Sequence, residues 1–598
     1  MLENFKKVLY ILPKGDKLRL AGLLFMMMVV AVLEVAGIGM IPAFVSIVAD
    51  PQMVLNHDRV GSLMNFFGIE TSRELLLLGG VALVIIFILK NAFIALFYYV
   101  EARYAYSRFY KTSHRLMRSY MQAPYTFHLQ RNTAELLRNS SQEVRLMIQQ
   151  VVKPTLELIK ESVIGLSIIV FLLIMEPAIS LVVFSLLGTS VGVFLMVTHK
   201  KLKAYGKEEQ IHRRELIKAL NQGVGGIKDA RVLNREAQFI EKFRHSAYRS
   251  SLMLTRKFFL SKLPKPIVET IAIGGIMLIA VLMVLQGRPV TTIIPVMTLF
   301  VVATARLMPS LQIVTKTITK LRYNMVVVDP IYNDISELVE YRKKFKADRD
   351  RKERLEMQTG ITIRDLHYKY PGGDAQALRG VTLDIPKGQS VAFTGPSGAG
   401  KTTIVDVLLG LLEPESGEIL VDGMNIQDHL SAWQRNIGYI PQFIFLSDET
   451  LRSNVAFGIP DEEIDDEKVW SALKLAQFDE FVRRLPDGLD TAIGERGVRL
   501  SGGQRQRIGI ARALYHDPQV LVMDEATSAL DNVTEKQIIK AIEDLKGERT
   551  IITIAHRLTT VMNCDRIYYM KDGQVESSGT YQQLLDENDS FRVLANVT

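Results

Sequence analysis

Apolar residues fill long unbroken blocks in the first half of the chain and short blocks, separated by glycine-rich turns, in the second. The long blocks lie near 20–48, 75–100, 155–175, 178–198, 266–287 and 290–323. About 20 residues of helix, each rising 1.5 Å, cross a hydrocarbon layer of roughly 30 Å, so six membrane helices are expected. Two pairs are joined by very short links, "EPA" at 176–178 and "QGRPV" at 286–290, and read as tight hairpins. The stretches 101–153 and 199–265 are long, polar and patterned like helices. They are expected to leave the bilayer and return, with bends near 125–138 and 211–224 that form docking tips for a soluble domain. The loop at 50–74 contains "VGSLMNFFGI", residues 60–69, which suits a short amphipathic helix on the outer surface.

The pattern changes after "EYRKKFKADRDRKERLE" at 340–356, a charge-dense stretch with the character of a linker. Beyond it, "SVAFTG", "VLVMDE" and "TIITIAH" are short apolar runs of the kind found in parallel strands covered on both faces. "YYMKDGQVES" fits a hairpin turning at Asp572-Gly573. The expected architecture is an α-helical polytopic membrane domain over 1–335, a charged linker over 336–358 and an α/β phosphate-loop domain over 359–598.

Composition sharpens this picture at three points. The chain of 598 residues carries 72 Lys and Arg against 64 Asp and Glu, and the basic excess clusters in the two long polar segments between membrane blocks. The three opposite loops hold only Arg59, Arg73 and Arg288. That asymmetry sets orientation in the bilayer, with both termini and the soluble domain in the cytoplasm, and removes the need for a nucleic-acid partner. A single cysteine, Cys564, allows neither an intrachain disulfide nor a cysteine-based metal site, as suits a reducing compartment. The basic N-terminus before the first apolar block resembles a secretion signal, but the block is too long for a cleavable one.

The chemistry sits in the second half. Gly395, Pro396, Ser397, Gly398, Ala399 and Gly400, followed by Lys401, Thr402 and Thr403, lie between an apolar strand and the helical run "IVDVLLGLL". Backbone N–H groups of such a loop wrap phosphate oxygens, the lysine adds charge at the β- and γ-phosphates, and Thr402 offers a hydroxyl to Mg²⁺. Asp524, closing "VLVMD", can hold the metal shell, and Glu525 can polarise an attacking water. His556 ends the next apolar strand, on the edge where ligands bind in such sheets. "RLSGGQRQRIGIARAL", residues 499–514, supplies a second phosphate-facing helix N-terminus.

With these motifs in order, plus Gln442 in "YIPQ" and "SALD" at 528–531, the region 359–590 resembles the ATP-binding cassette family. The resemblance implies that Tyr370 stacks on adenine and that Gln442 touches Mg²⁺ or the attacking water. It also implies that Ser501, Gly502, Gly503 and Gln504 close over ATP held by a second copy, with Asp531 across that interface. Glu525, His556 and Gln442 are the expected catalytic group, with ATP and Mg²⁺ as cofactors. One cassette and six spans resemble a half-transporter of the exporter type, a homodimer in a bacterial inner membrane.

Charges inside apolar spans mark candidate pathways, because each costs at least ~2.5–3.5 kcal/mol at the bilayer centre. Glu34, Lys90 and Arg306 lie within expected spans, and Lys265 stands at the start of the fifth. Either these cations line a cavity for a phosphate-bearing substrate, or they snorkel and pair with Glu34 or Glu269. "ARLMPS" at 305–310, "LPK" at 263–265, Glu34 and Lys90 are similar to features of bacterial flippases for lipid-linked oligosaccharides used in protein N-glycosylation. Lipid A flippases and multidrug or peptide exporters share this architecture and stand as alternatives. The six membrane blocks argue against a soluble cassette ATPase of DNA repair or translation.

Overall fold

The computed structural model describes residues 2–11, 17–49, 71–285, 290–348, 353–494, 497–525, 532–555 and 561–597. The expected outer-loop helix at 60–69, the 286–289 link, Asp531 and His556 lie outside the described residues. The chain divides into two compact units, one of Met1–Met121 with Thr133–Val339, the other of Gln122–Asn132 with Glu340–Thr598.

In the first unit, α1 (Leu2–Ile11) precedes α2 (Lys17–Ala49), α3 (Ser72–Met121) and the short α4 (Tyr125–Gln130), which is grouped with the second unit. Then come α5 (Lys153–Met175), α6 (Pro177–Gly225), α7 (Glu236–Lys262), α8 (Pro264–Leu285), α9 (Val290–Asn324) and α10 (Val328–Asp348). Each of the six expected apolar blocks falls on one of these helices. Among the described residues, five stretches are long and apolar enough to cross a membrane: Leu18–Val48, Leu76–Met121, Thr133–Met175, Glu236–Leu285 and Ile293–Val339. The fourth expected block lies on α6, where Gly188–Thr198 is a shorter apolar stretch. Because lipid is as apolar as the core, one face of such a helix stays uncovered: Leu77, Val81, Ile85 and Ile88 of α3 are exposed. The opposite faces of α2, α5 and α9 meet in an apolar core around Met27, Ile164, Ile168 and Ala303.

The chain breaks at residues 122–132, as the first bend requires, but α6 runs without interruption through 211–224. The second bend instead falls at Gly226, where the helix stops, and a short turn leads into α7. Gly206 on α6 shows why these long helices pack closely: a Cβ there would sit 2.2 Å from the carbonyl oxygen of Tyr323.

The second unit holds two sheets. Strands β1 (Gly360–Lys369), β2 (Gln376–Pro386), β4 (Ser416–Val421) and β5 (Met424–Asn425) form an antiparallel sheet in the order β2-β1-β4-β5. Strands β3 (Ser390–Thr394), β6 (Ile437–Ile440), β7 (Val520–Asp524), β8 (Thr550–Ile554), β9 (Arg566–Lys571) and β10 (Gln574–Gly579) form the other, in the order β10-β9-β3-β8-β7-β6. β3 and β8 are buried at every position and pair in parallel, which is what unbroken Val, Ile and Phe runs need. β9 and β10 close as the expected hairpin, with Asp572 at φ 48° and Gly573 at φ 79° supplying the left-handed turn.

Candidate functional site

β3 delivers the chain to its carboxyl edge, and α11 (Lys401–Leu408) starts after six intervening residues. The loop between them needs its glycines. Gly395 and Gly400 take φ of 142° and 98°, and a Cβ would sit 2.1 Å from the Met570 oxygen at the first and 2.8 Å from the Ala377 oxygen at the second. At Gly398, φ 81°, a Cβ would meet nothing within 4 Å, so the loop is backed by protein at its ends and open at its middle. No side chain caps the N-terminus of α11, which leaves its first N–H groups and its dipole facing that opening. These features fit a polyphosphate. Lys401 is buried and its Nζ donates to the carbonyls of Gly395 (2.8 Å) and Pro396 (2.9 Å). Burial pulls its pKa down, against the pull of Glu525 and Asp524, whose carboxylates favour the charged form.

The acidic side of the site comes from β7. Asp524 is its last residue and pairs in register with Ile554. Glu525, next in the chain, adopts φ 47°, and its N–H donates to the Ile554 carbonyl at 3.2 Å. That left-handed turn aims the side chain at Gln442, whose Nε2 donates to Glu525 Oε2 at 2.7 Å. Thr402 is exposed at the loop, so an oxygen pair from Thr402 and Asp524 has the hard-donor chemistry Mg²⁺ prefers. Tyr370 is tied to the same helix, its hydroxyl 3.2 Å from Thr403 Oγ1.

Two neighbours were not anticipated from the sequence. Asp406 on α11 has its pKa pushed up to about 6, first by burial and then by the charge of Asp524. Tyr439 on β6 is raised by burial and by both carboxylates. A lone acid in the apolar run "IVDVLLGLL" was the available signal.

Ser501 caps α12 (Gly502–Leu514). Its Oγ accepts from the Gln504 N–H at 3.3 Å, and Gln504 Oε1 accepts from the Ser501 N–H at 2.9 Å. This reciprocal cap holds Gly502 and Gly503 as the opening turn of a 13-residue helix, with Ser501 exposed.

Inside the membrane unit the expected charges are not bare. Glu34 bridges two cations, with Lys90 Nζ at 3.0 Å from Oε2 and Arg306 Nε at 3.1 Å from Oε1. Arg306 also reaches Glu161 at 3.9 Å, and Glu161 in turn holds Lys160 at 3.1 Å and accepts from Ser310 at 2.7 Å. Lys160 and Glu161 were in plain view in "ELIKESVIG" and belong to the same ladder. Pairing of this kind lowers the cost of charge in an apolar setting. Three cations share two carboxylates, so one net positive charge remains. Lys265 stands apart, exposed on the first turn of α8.

Comparison with known proteins fits these two halves. Residues 24–312 match the ABC transporter transmembrane region and residues 378–528 the ABC transporter family. The chain is 32% identical over 480 residues, 80% of each chain, to an ATP-dependent lipid A-core flippase of Cupriavidus pinatubonensis. It is equally similar, over 481 residues and 80% of each chain, to one of Ralstonia nicotianae. A Pasteurella multocida protein of the same name is 41% identical over 242 residues, 40% of this chain and 41% of its own. The name these three carry is that of an alternative substrate class, not of the lipid-linked oligosaccharide first expected. In structure, a bacterial Atm1-family ABC exporter with ATP bound matches over 98% of both chains with a TM-score of 0.72 at 22% identity, a likeness of fold. The chain is a multi-pass membrane protein that couples ATP to transport, and it belongs to the ABC transporters.

Proposed function

We propose that two copies of this chain form an ATP-driven flippase for a phosphate-bearing glycolipid, with the cassettes and both termini in the cytoplasm. The observation that carries the reading is the charged ladder inside otherwise apolar helices, with its residual positive charge. A cavity for a cationic or neutral drug has no use for that excess. The relatives' name favours a lipid A-type substrate over a polyprenyl-pyrophosphate oligosaccharide, and both present phosphate on a saccharide.

The cassette residues divide the work. The loop N–H groups and Lys401 bind and orient the nucleotide phosphates, and Tyr370 bears on adenine. Thr402 and Asp524 would hold Mg²⁺, which offsets phosphate charge when bound. Glu525 takes a proton from the attacking water, and Gln442, bonded to it in this structure, orients the carboxylate. His556 contacts the γ-phosphate. Ser501 and Gly503 of one copy and Asp531 close over ATP in the other. Closure must favour one membrane conformation by about 5.5 kcal/mol to swing a 1:99 population to 99:1.

Reconstitution into sealed vesicles tests this. ATP-dependent movement of a diphosphorylated glucosamine lipid, and none of phosphatidylcholine, is the expected result. Movement of cationic drugs with no movement of phosphorylated glycolipids would overturn the reading.

A further inference from the structure

Gln442 reaches Glu525 from a segment that leaves β6 and runs against α12, and close contacts fix that segment on the helix. Gly438 of β6 has no room for a side chain, since a Cβ there would stand 2.5 Å from the Ala513 carbonyl oxygen. Gly509, in the interior of α12, lies against Ile444, and a Cβ would stand 2.3 Å from its Cδ1 and 2.8 Å from its Cγ1. Glycine is a poor helix former, so its place there answers to this approach and not to the helix. One helical turn on, Arg512 donates from Nη1 to the Phe445 carbonyl at 2.8 Å and from Nε to the Asn454 carbonyl at 2.8 Å. Its Nη2 reaches Asn454 Oδ1 at 3.2 Å, and the guanidinium lies 4.4 Å from the centre of the Phe457 ring. Asn454 in turn accepts from the Ser447 N–H at 3.0 Å and donates to the Ser447 carbonyl at 3.1 Å. Burial pulls the Arg512 pKa down to about 10, and among the described residues no acid offsets that pull. A half-buried guanidinium directed at carbonyls is suited to holding backbone in place rather than to ion pairing.

Resting on the reading of Glu525 as the base that takes the water proton, we infer that Gly509 and Arg512 are positioning residues for ATP hydrolysis. Neither touches nucleotide in that reading. The notch at Gly509 seats Ile444 and the guanidinium holds Phe445, so together they set where the chain from Gln442 runs. The Gln442 amide holds Glu525 at 2.7 Å, so a displacement at Ile444 is passed along the chain to the carboxylate. The phosphate loop is built on other elements, β3 and α11. Nucleotide binding and hydrolysis are therefore separable at α12. The same helix opens at Ser501, so one rigid element carries both the cap offered to a second copy and the seat of Gln442. Movement of the cap reaches Glu525 by this route.

The test uses the full chain in lipid nanodiscs, with kcat and KM for ATP measured beside binding of a non-hydrolysable ATP analogue. Gly509→Ala should lower kcat by about tenfold or more, with KM within about twofold and the amount of analogue bound per chain unchanged. Adding Ile444→Ala clears the space the new methyl needs and should bring kcat back to within about threefold of wild type. Arg512→Lys keeps the charge but not the fork, and should lower kcat by about tenfold with KM again unchanged. In a Gln442→Ala background both substitutions should change kcat by less than about twofold, because effects along one path do not multiply. Wild-type kcat in Gly509→Ala and Arg512→Lys would overturn the inference. So would a Gly509→Ala protein that Ile444→Ala fails to restore, or effects that multiply fully with Gln442→Ala. Glu525→Gln, measured beside them, separates the two readings. Normal turnover there defeats the role of Glu525 and the inference with it, while loss there beside wild-type kcat in the α12 variants defeats the inference alone.

Discussion

The phosphate loop and the membrane ladder both place charge where water is scarce, and they do so by opposite means. At the loop the groups proposed to meet phosphate are backbone N–H groups, fixed by left-handed glycines whose missing Cβ atoms would run into Met570 and Ala377. Its parts lie within a few positions of one another, and the backbone itself sets its geometry. In the ladder each contact is a side chain, drawn from helices that are 56 residues apart at Glu34 and Lys90 and 149 apart at Glu161 and Ser310. Such contacts can exchange partners without unfolding anything. A part that must recognise one ligand identically in every cycle is well served by the first design. A part that must open and close is well served by the second.

The difference can be pushed hardest at Glu525. Glu525→Gln should lower ATP turnover by about 10²–10⁴-fold with ATP binding retained, measured as steady-state hydrolysis beside nucleotide affinity. Turnover near the wild-type level would assign the water to another group. The ladder answers to Glu34→Gln, which leaves Lys90 and Arg306 facing a neutral amide and should cost about 3–5 kcal/mol of membrane-unit stability. Thermal unfolding in detergent reads this, and Glu34→Gln combined with Lys90→Met should recover part of it.

Asp406 gives a smaller, pH-dependent effect. Its folded pKa, about 6, lies above the ordinary aspartate value of 3.8, so folding favours the protonated acid. The strain is fully present above pH 6 and is relieved as pH falls from about 6 toward 4, which is the reverse of an ion-paired carboxylate. Asp406→Asn should therefore stabilise the cassette at pH 7.5 by on the order of 1 kcal/mol, after allowance for solvent screening, and flatten the pH dependence of its melting below 6. Smallest is Ser501→Ala, which removes one half of a capping box and should cost ~1 kcal/mol of cassette stability by urea unfolding.

The same contrast decides what could be read from the residues alone. Gly395 to Thr403, the hairpin at Asp572-Gly573 and the buried strands are local patterns, and their spacing carries their geometry. Glu34, Lys90 and Arg306 were legible as costly charges, but which acid holds which base depends on helix packing that no local period encodes. Glu161 and Lys160 escaped notice because a Lys-Glu neighbour pair looks solvated until α9 brings Arg306 and Ser310 against it. The second bend was placed too early because the polar helical period continues through 211–224. The stop signal is the glycine run that follows, at Gly225 and Gly226. Asp406 and Tyr439 belong to the cassette site through burial, which a sequence motif does not report.

The account stands on two chains acting together, each supplying the cap that the other's ATP requires. Nanodiscs loaded with either one or two copies of the chain test that directly, with hydrolysis measured per chain at saturating ATP. ATP turnover confined to particles holding two copies is the predicted result. Equal turnover per chain in single-copy particles would contradict it.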